Sequence, residues 1–363
     1  MGEKKKLTIR FFISLAVFAC LFGFLFQKVT YLVQYKIHVN DTVASFYQEK
    51  KDSIDVLFFG TSHVFCSFSP MYLWEEKGIT SYDISTGQQP IAASYYLMKE
   101  GIKRQHPKVI VLETYALSYG EDYATKARLH EAIDNIPLNE TKWEIFWDFM
   151  PRTMGYHERL EFLFPMIAYH TRWDKLRSND YQRGETWRLG YVPTKGNKVR
   201  KRVPIITEEM EVREENIEYL DKIIQLCREN QIELVLCQTP ITKGSRFLKA
   251  NKMLNYIKRY VEEQGIPYID YDIIRDEIGL NYEEDFSNAT HLNILGAKKA
   301  THYMGEYLVQ NYSLEDHRGD ENYAKWEQEH EQYEEDIQKH LNKLMKKIEK
   351  RRAKKEKEEN SEG

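Results

Sequence analysis

Between residues 52 and 312 the chain alternates short, mainly apolar runs with longer stretches whose apolar positions recur every three or four residues. The short runs lie at 54–59, 79–84, 109–113, 232–237 and 266–269. Each is too short for a helix and bounded by turn residues, which reads as a strand buried on both faces. The longer stretches, near 90–104, 211–230, 247–264 and 293–310, carry the helical period. Strand and helix in repetition predict a parallel sheet covered on both sides.

Five strands in that arrangement predict an α/β fold, a three-layer α/β/α domain with a flavodoxin-like sheet. It is flanked by two segments of different pattern. At the N-terminus Lys4, Lys5, Lys6 and Arg10 precede an apolar stretch from Phe11 to Phe26, which Val29, Tyr31, Leu32 and Val33 extend far enough to cross a bilayer. The stretch reads as a transmembrane signal anchor over 11–33. Phe24-Leu25-Phe26-Gln27 offers no small-residue cleavage site, and Cys20 lies mid-run, away from a lipoprotein position. Four basic residues before the span, against Lys28 and Lys36 after it, place residues 1–10 in the cytoplasm and the body outside, behind a linker over 34–51.

At the other end, 313–363 is charge-rich. Tyr323, Trp326, Tyr333, Ile337, Leu341, Leu344 and Ile348 recur there at helical spacing, predicting one extended helix with a narrow apolar stripe. The stripe could pack on the domain, pair with a partner or lie exposed. Within the domain, 119–204 is too long for a plain connection and reads as an inserted lid or substrate wall carrying Trp143, Trp147, Trp173 and Trp187. Its basic end, Lys195, Lys198, Arg200, Lys201 and Arg202, suits either a solvated loop or the phosphate of an envelope polymer.

Composition changes this picture little. A net charge of -4 gives no argument for a nucleic-acid partner, and 13% aromatic content suits a sugar-stacking cleft or an ordinary core. Cys20, Cys66, Cys227 and Cys237 show no metal-ligand spacing, and no cofactor motif is apparent. Cys227 and Cys237 read as buried free thiols, with a bridge open to them in an oxidising compartment.

The chemistry gathers where the first strand stops. The run Val56-Leu57-Phe58-Phe59 ends at Gly60, and the turn leaves Ser62 at the strand's carboxyl end, the edge where open α/β sheets bind ligands. Ser62, the Ser85-Thr86-Gly87 turn, Glu113, the Gln238-Thr239-Pro240 turn and His291 each follow a strand or lie shortly beyond one. All five are expected at one sheet edge. Two other readings compete: Ser62 as a mere helix cap, and Gly60-Thr61-Ser62 as a phosphate cradle.

Gly60-Thr61-Ser62-His63, together with His291-Leu292-Asn293 and the following Gly296-Ala297, resembles the first and last sequence blocks of the SGNH (GDSL-like) hydrolase and acyltransferase superfamily. The chain looks most like its membrane-anchored branch, which includes DltD and exopolysaccharide acetylation proteins. The resemblance implies Ser62 as nucleophile, His291 as base, and backbone N–H groups at Ser62 and Gly87 as oxyanion donors. The superfamily usually carries Asp three residues before this histidine. Here the position is Asn288, so either Asn288 or Asp285 would orient the imidazole. The superfamily's third-block Asn is not evident after 109–113, which makes Gln88 or Gln89 the substitute donor. His63, Glu113 and Thr239 complete the set as candidate substrate contacts. The resemblance further implies acyl groups of an envelope polysaccharide or teichoic-type polymer as substrate, and a multipass membrane acyltransferase as partner. A catalytically weak binding module is the alternative.

Overall fold

A computed structural model describes residues 3–34, 41–120, 125–150, 154–181, 188–242 and 245–362. Its chain divides into two compact units, one of Met1–Ile37 with Lys142–Arg183, the other of His38–Thr141 with Gly184–Gly363.

The larger unit holds a five-stranded, all-parallel sheet: β1 Val56–Gly60, β2 Ser81–Ser85, β3 Val109–Glu113, β4 Glu233–Gln238 and β5 Tyr268–Asp270, in the order β2-β1-β3-β4-β5. This is the flavodoxin-like order expected from the strand count, and the strands fall within two residues of their predicted ranges. The chain switches direction between β1 and β3, so the crevice for a ligand opens beyond the carboxyl ends of those two strands.

The alternation of side chains along β1 sets the layers. Val56 and Phe58 join a core with Val64 of helix α3 (Ser62–Ser67), Phe68 just after it, Leu73 of α4 (Pro70–Lys77), and Ala300, Met304 and Leu308 of α12 (Ile294–Asn311). Leu57 and Phe59 point the other way and touch Gly101 of α5 (Ile91–Gln105), where a Cβ would come within 2.9 Å of Leu57 Cδ1. Helix α10 (Glu214–Glu229) packs beside α5. Each fully buried Phe or Leu of this sheet contributes roughly 2–3 kcal/mol, enough that both faces must stay covered.

The edge strand β2 is also covered. Helix α2 (Asp41–Phe46) buries Val43 and Phe46 against it, and Thr42 O accepts a hydrogen bond from Tyr82 Oη at 2.9 Å. That cover removes an exposed pairing edge. Cys66, Cys227 and Cys237 are buried free thiols.

The charged C-terminal segment forms one helix, α13 (Ala324–Glu362), and its stripe packs on its own domain. Trp326, Tyr333, Ile337, Leu344 and Ile348 are buried; Trp326 lies against Trp74, and Tyr333 Oη accepts from Ser69 Oγ at 2.9 Å. Arg188 pairs with Asp336 across this contact at 2.9 Å. Of the three fates open to the stripe, packing on the domain is the one adopted.

In the smaller unit the N-terminal helix α1 (Glu3–Val33) is long and apolar enough to cross a membrane. Short helices from the middle of the chain join it: the π-helical turn Ile145–Phe149, α8 (Tyr156–Leu163), α9 (Met166–Tyr169) and 3-10 turns at His170–Arg172 and Ser178–Tyr181. Part of the segment read as one insert over 119–204 therefore groups with α1, while 119–141 and 184–204 belong to the sheet domain. Trp187 lies outside the described residues.

Candidate active site

Strand β1 ends at Gly60, whose φ is +152°. A Cβ there would stand 2.8 Å from both Glu113 Cβ and Val64 Cγ2, so only glycine allows the chain to turn this tightly against β3. Thr61 then caps α3: its Oγ1 accepts from the backbone N–H of His63 at 3.3 Å. Ser62 is the first residue of that helix, half-buried, with its backbone N–H in the turn where helix geometry supplies no acceptor.

The partner hydroxyl contact is direct. Ser62 Oγ lies 2.7 Å from His291 Nε2, although 229 residues separate them. His291 sits on a tight turn closed by an antiparallel bridge between Phe286 and Leu292 and by the Ser287 N–H donating to His291 O at 2.9 Å. Asn293 begins α12 immediately afterwards, its side chain accepting from Leu295 and Gly296 N–H. The loop after β4 is fastened to the same turn, because both the backbone N–H and the hydroxyl of Thr242 donate to Ala289 O. The histidine is thus positioned from three directions.

Behind the imidazole stands Asn288. Its Oδ1 accepts from the backbone N–H groups of Thr290 (2.9 Å) and His291 (3.1 Å) and from the Thr290 hydroxyl (3.2 Å), which fixes which way the amide faces. His291 Nδ1 is 3.1 Å from that oxygen and 2.9 Å from Nδ2. With Nδ1–H donating to Oδ1, Nε2 is left as an acceptor for the Ser62 proton, the tautomer a general base needs. The Nδ2 contact favours the opposite tautomer. An Asp would allow only the first.

Asp285 does not share in this. Its buried carboxylate accepts from Asn281 N–H at 2.6 Å and pairs with Lys299 at 2.7 Å. Gly296, whose added Cβ would meet Asp285 O at 2.5 Å, packs the start of α12 on the same residue. Asp285 holds the loop and helix together, and Asn288 is the residue at the imidazole.

Three expected substrate contacts are also placed otherwise. Glu113 is fully buried at the end of β3; it accepts from the Thr61 hydroxyl at 3.0 Å and Tyr115 N–H at 2.9 Å, and so ties down the turn that carries Ser62. His63 is buried beneath Tyr115, with Nδ1 facing Glu113 Oε1 at 3.4 Å without hydrogen-bond geometry. Its ring stands edge-on to His291, centroids 5.4 Å apart. Thr239 is buried, and its hydroxyl has no partner among the described residues.

Gly60 pairs with Ser85 in the ladder, so the Thr86-Gly87-Gln88 turn runs alongside the Ser62 turn. Gln88 adopts a left-handed φ of +56°, a conformation that costs a non-glycine residue about 1 kcal/mol or more. Gln89 is buried and spent on Ser94 Oγ and Thr86 Oγ1, which leaves Gln88 as the side chain able to donate outward. Over this turn lies Arg128, on α6 (Lys126–Ile133): its Nε donates to Gln88 Oε1 at 3.0 Å, and its Nη1 to Glu131 at 2.7 Å. Sequence reasoning missed Arg128 and Thr61. Arg128 sits in the insert without a motif, and the role of Thr61 depends on a contact with β3.

Burial, and after it the facing His63, pushes His291 down to about 3 from an ordinary 6.5. The imidazole is therefore neutral, and available as a base, throughout the physiological range. Among the described residues no group of three or more His, Cys, Asp or Glu is placed to hold a metal ion.

The chain matches no family model and no curated protein by sequence. Among solved structures it is similar to a protein assigned to the G-D-S-L family of lipolytic proteins, from Desulfitobacterium hafniense DCB-2, at 12% identity and a TM-score of 0.38, covering 70% of this chain and 98% of that one. The likeness is distant, and the fold class rests on the strand order of the chain itself.

Proposed function

We propose that this chain is an SGNH-like serine esterase or O-acyltransferase, anchored by α1 with its sheet domain outside the cytoplasm, acting on acyl groups of an envelope polysaccharide or teichoic-type polymer. The observation that carries the reading is the 2.7 Å approach of Ser62 Oγ to His291 Nε2 at the crevice end of the sheet. As Ser62 Oγ bonds to the ester carbonyl carbon, its proton passes to His291 Nε2. The oxyanion takes hydrogen bonds from backbone N–H at Ser62 and Gly87, with the Gln88 amide as a third donor. His291 then protonates the leaving alcohol oxygen as the C–O bond breaks, leaving an acyl-Ser62 ester. A water or an acceptor hydroxyl, deprotonated by His291, attacks that ester; as the acyl–Oγ bond breaks, His291 returns the proton to Ser62 Oγ, and the nature of the attacking hydroxyl makes the route hydrolysis or transfer.

The multipass acyltransferase partner belongs to the transfer form of this proposal, as the supplier of the acyl group. Asn288 gives a second reading its foothold, since an uncharged orienter supports the imidazolium less than Asp would: a binding module with feeble turnover. Incubation with an activated acetyl ester followed by intact-mass analysis separates the two. An acetyl adduct on Ser62 that decays with turnover supports the enzyme; an unmodified Ser62 supports the binding module.

A further inference from the structure

The smaller unit carries a feature that the esterase chemistry does not use. Along α1 the large apolar side chains from Leu7 to Val29 are exposed apart from the half-buried Phe26, and full burial begins at Thr30 and includes Val33 and Gln34. Those 23 residues rise roughly 35 Å at 1.5 Å each, close to the ~30 Å hydrocarbon core of a bilayer. Where the exposure ends, the mid-chain segment begins to cover the helix. Helix α9 and the two 3-10 turns pack on the end of α1, Arg172 Nη1 donates to Val33 O at 2.6 Å, and Arg172 Nη2 reaches Asp180 Oδ1 at 3.1 Å. The clasp therefore sits at the level where an anchored helix would leave the lipid.

On this same unit Trp147, Ile167, Trp173 and Tyr181 are exposed, Trp147 by 58% and Trp173 by 74%. Trp173 directly follows Arg172, and Tyr181 directly follows Asp180, so two of these side chains flank the clasp itself. Trp147 packs on Phe146, and Arg159 lies over both rings. So many large exposed apolar groups on one short segment are out of place in water. Trp and Tyr are the side chains that settle where hydrocarbon meets headgroups. Lys175 and Arg177, exposed just beyond Trp173, supply cations for lipid phosphate.

We infer that residues 142–150 and 154–181 form an interfacial clamp whose partner is the lipid surface itself, with Trp147 and Trp173 seated at headgroup depth beside the emerging α1. The inference rests on the reading of α1 as a membrane anchor. Continuity with the outer end of that helix favours lipid over a second protein as the occupant of this surface.

The test is tryptophan quenching in the full-length chain reconstituted into phosphatidylcholine vesicles. Helix α1 contains no tryptophan, and Trp74 and Trp326 are buried in the sheet domain; with Trp187→Phe as the background of every protein tested, the remaining tryptophans are Trp143, Trp147 and Trp173, so lipid-dependent quenching reports the mid-chain segment. Lipid brominated high on the acyl chain is expected to quench the emission, and Trp147→Phe with Trp173→Phe to remove at least half of that quenching while ester turnover is retained. Quenching by aqueous iodide instead overturns the inference. Resistance to both quenchers overturns it in favour of a protein surface, as does lipid quenching unchanged in the double variant. Alkaline extraction of the same vesicles keeps the two claims separate: a chain released by alkali contradicts the anchor, whereas a retained chain with iodide-accessible tryptophans contradicts the clamp alone.

Discussion

Glu113 Oε2 accepts the Thr61 hydroxyl at 3.0 Å, so a buried carboxylate on β3 holds the residue just past β1 that precedes the proposed nucleophile. The same side chain accepts Tyr115 N–H through its other oxygen. Glu113→Ala removes the acceptor of both donors at a fully buried position. It is expected to destabilise the fold by about 3 kcal/mol and to lower ester turnover through a loosened Ser62 turn. Glu113→Gln keeps one acceptor and should fall between. Denaturant titration of the three proteins gives the order; equal stability of all three would remove Glu113 from this role.

Gly60 makes that contact sterically possible. Gly60→Ala brings a Cβ to 2.8 Å from Glu113 Cβ and Val64 Cγ2 at a φ that L residues rarely adopt. A loss of about 2 kcal/mol or more is expected, together with lost labelling of Ser62. A variant with wild-type melting and labelling would show that the turn has room to spare.

The depressed His291 couples acid to both stability and rate. The unfolded imidazole holds a proton up to about pH 6.5, while the folded one does not until about 3. The unfolded state thus binds more protons between these values. The stabilisation is complete above about 6.5 and is lost as the pH falls toward 3. The acid limb of kcat/KM should likewise lie well below 6.5. A pH–rate profile with an acid limb at or above 6.5 would contradict the neutral, buried imidazole.

Asn288 and Asp285 separate cleanly by their contacts. Asn288→Asp places full charge beside Nδ1 and removes the contact that favours the unproductive tautomer. It should raise the acid limb and increase turnover by about tenfold or more. Asp285→Asn breaks the Lys299 pair and should reduce stability while leaving the acid limb in place. Paired pH profiles and melting curves decide it; an acid limb that moves with Asp285 and not with Asn288 reverses the assignment.

The sheet and the two ends of the site were legible because they are written locally. The apolar run stopping at Gly60 marks β1 and Ser62, and the polar turn before an apolar helix marks His291. Asn288 stood out by its three-residue spacing to that histidine. The stripe from Trp326 to Ile348 announced a helix, though which surface it covers depended on Trp74 and Ser69, far away in sequence. What the sequence hid are roles created by contacts between strands. Nothing near Glu113 says that it faces Thr61, and nothing near Arg128 says that it lies over Gln88. A carboxylate after a strand reads equally as a substrate contact or as a brace until its burial is known. The grouping of 142–183 with α1 was hidden for the same reason, since Arg172 and Val33 are joined only by folding.

The central claim is that Ser62 is a nucleophile activated by His291, and the most direct measurement is labelling by a fluorophosphonate probe with mapping of the modified residue. Phosphonylation of Ser62 in the wild-type chain is predicted, absent in Ser62→Ala and slowed at least a hundredfold in His291→Ala, with both variants folded by circular dichroism. A folded wild-type protein that leaves Ser62 unlabelled, or a Ser62→Ala variant that hydrolyses an acetyl ester at the wild-type rate, would contradict the account.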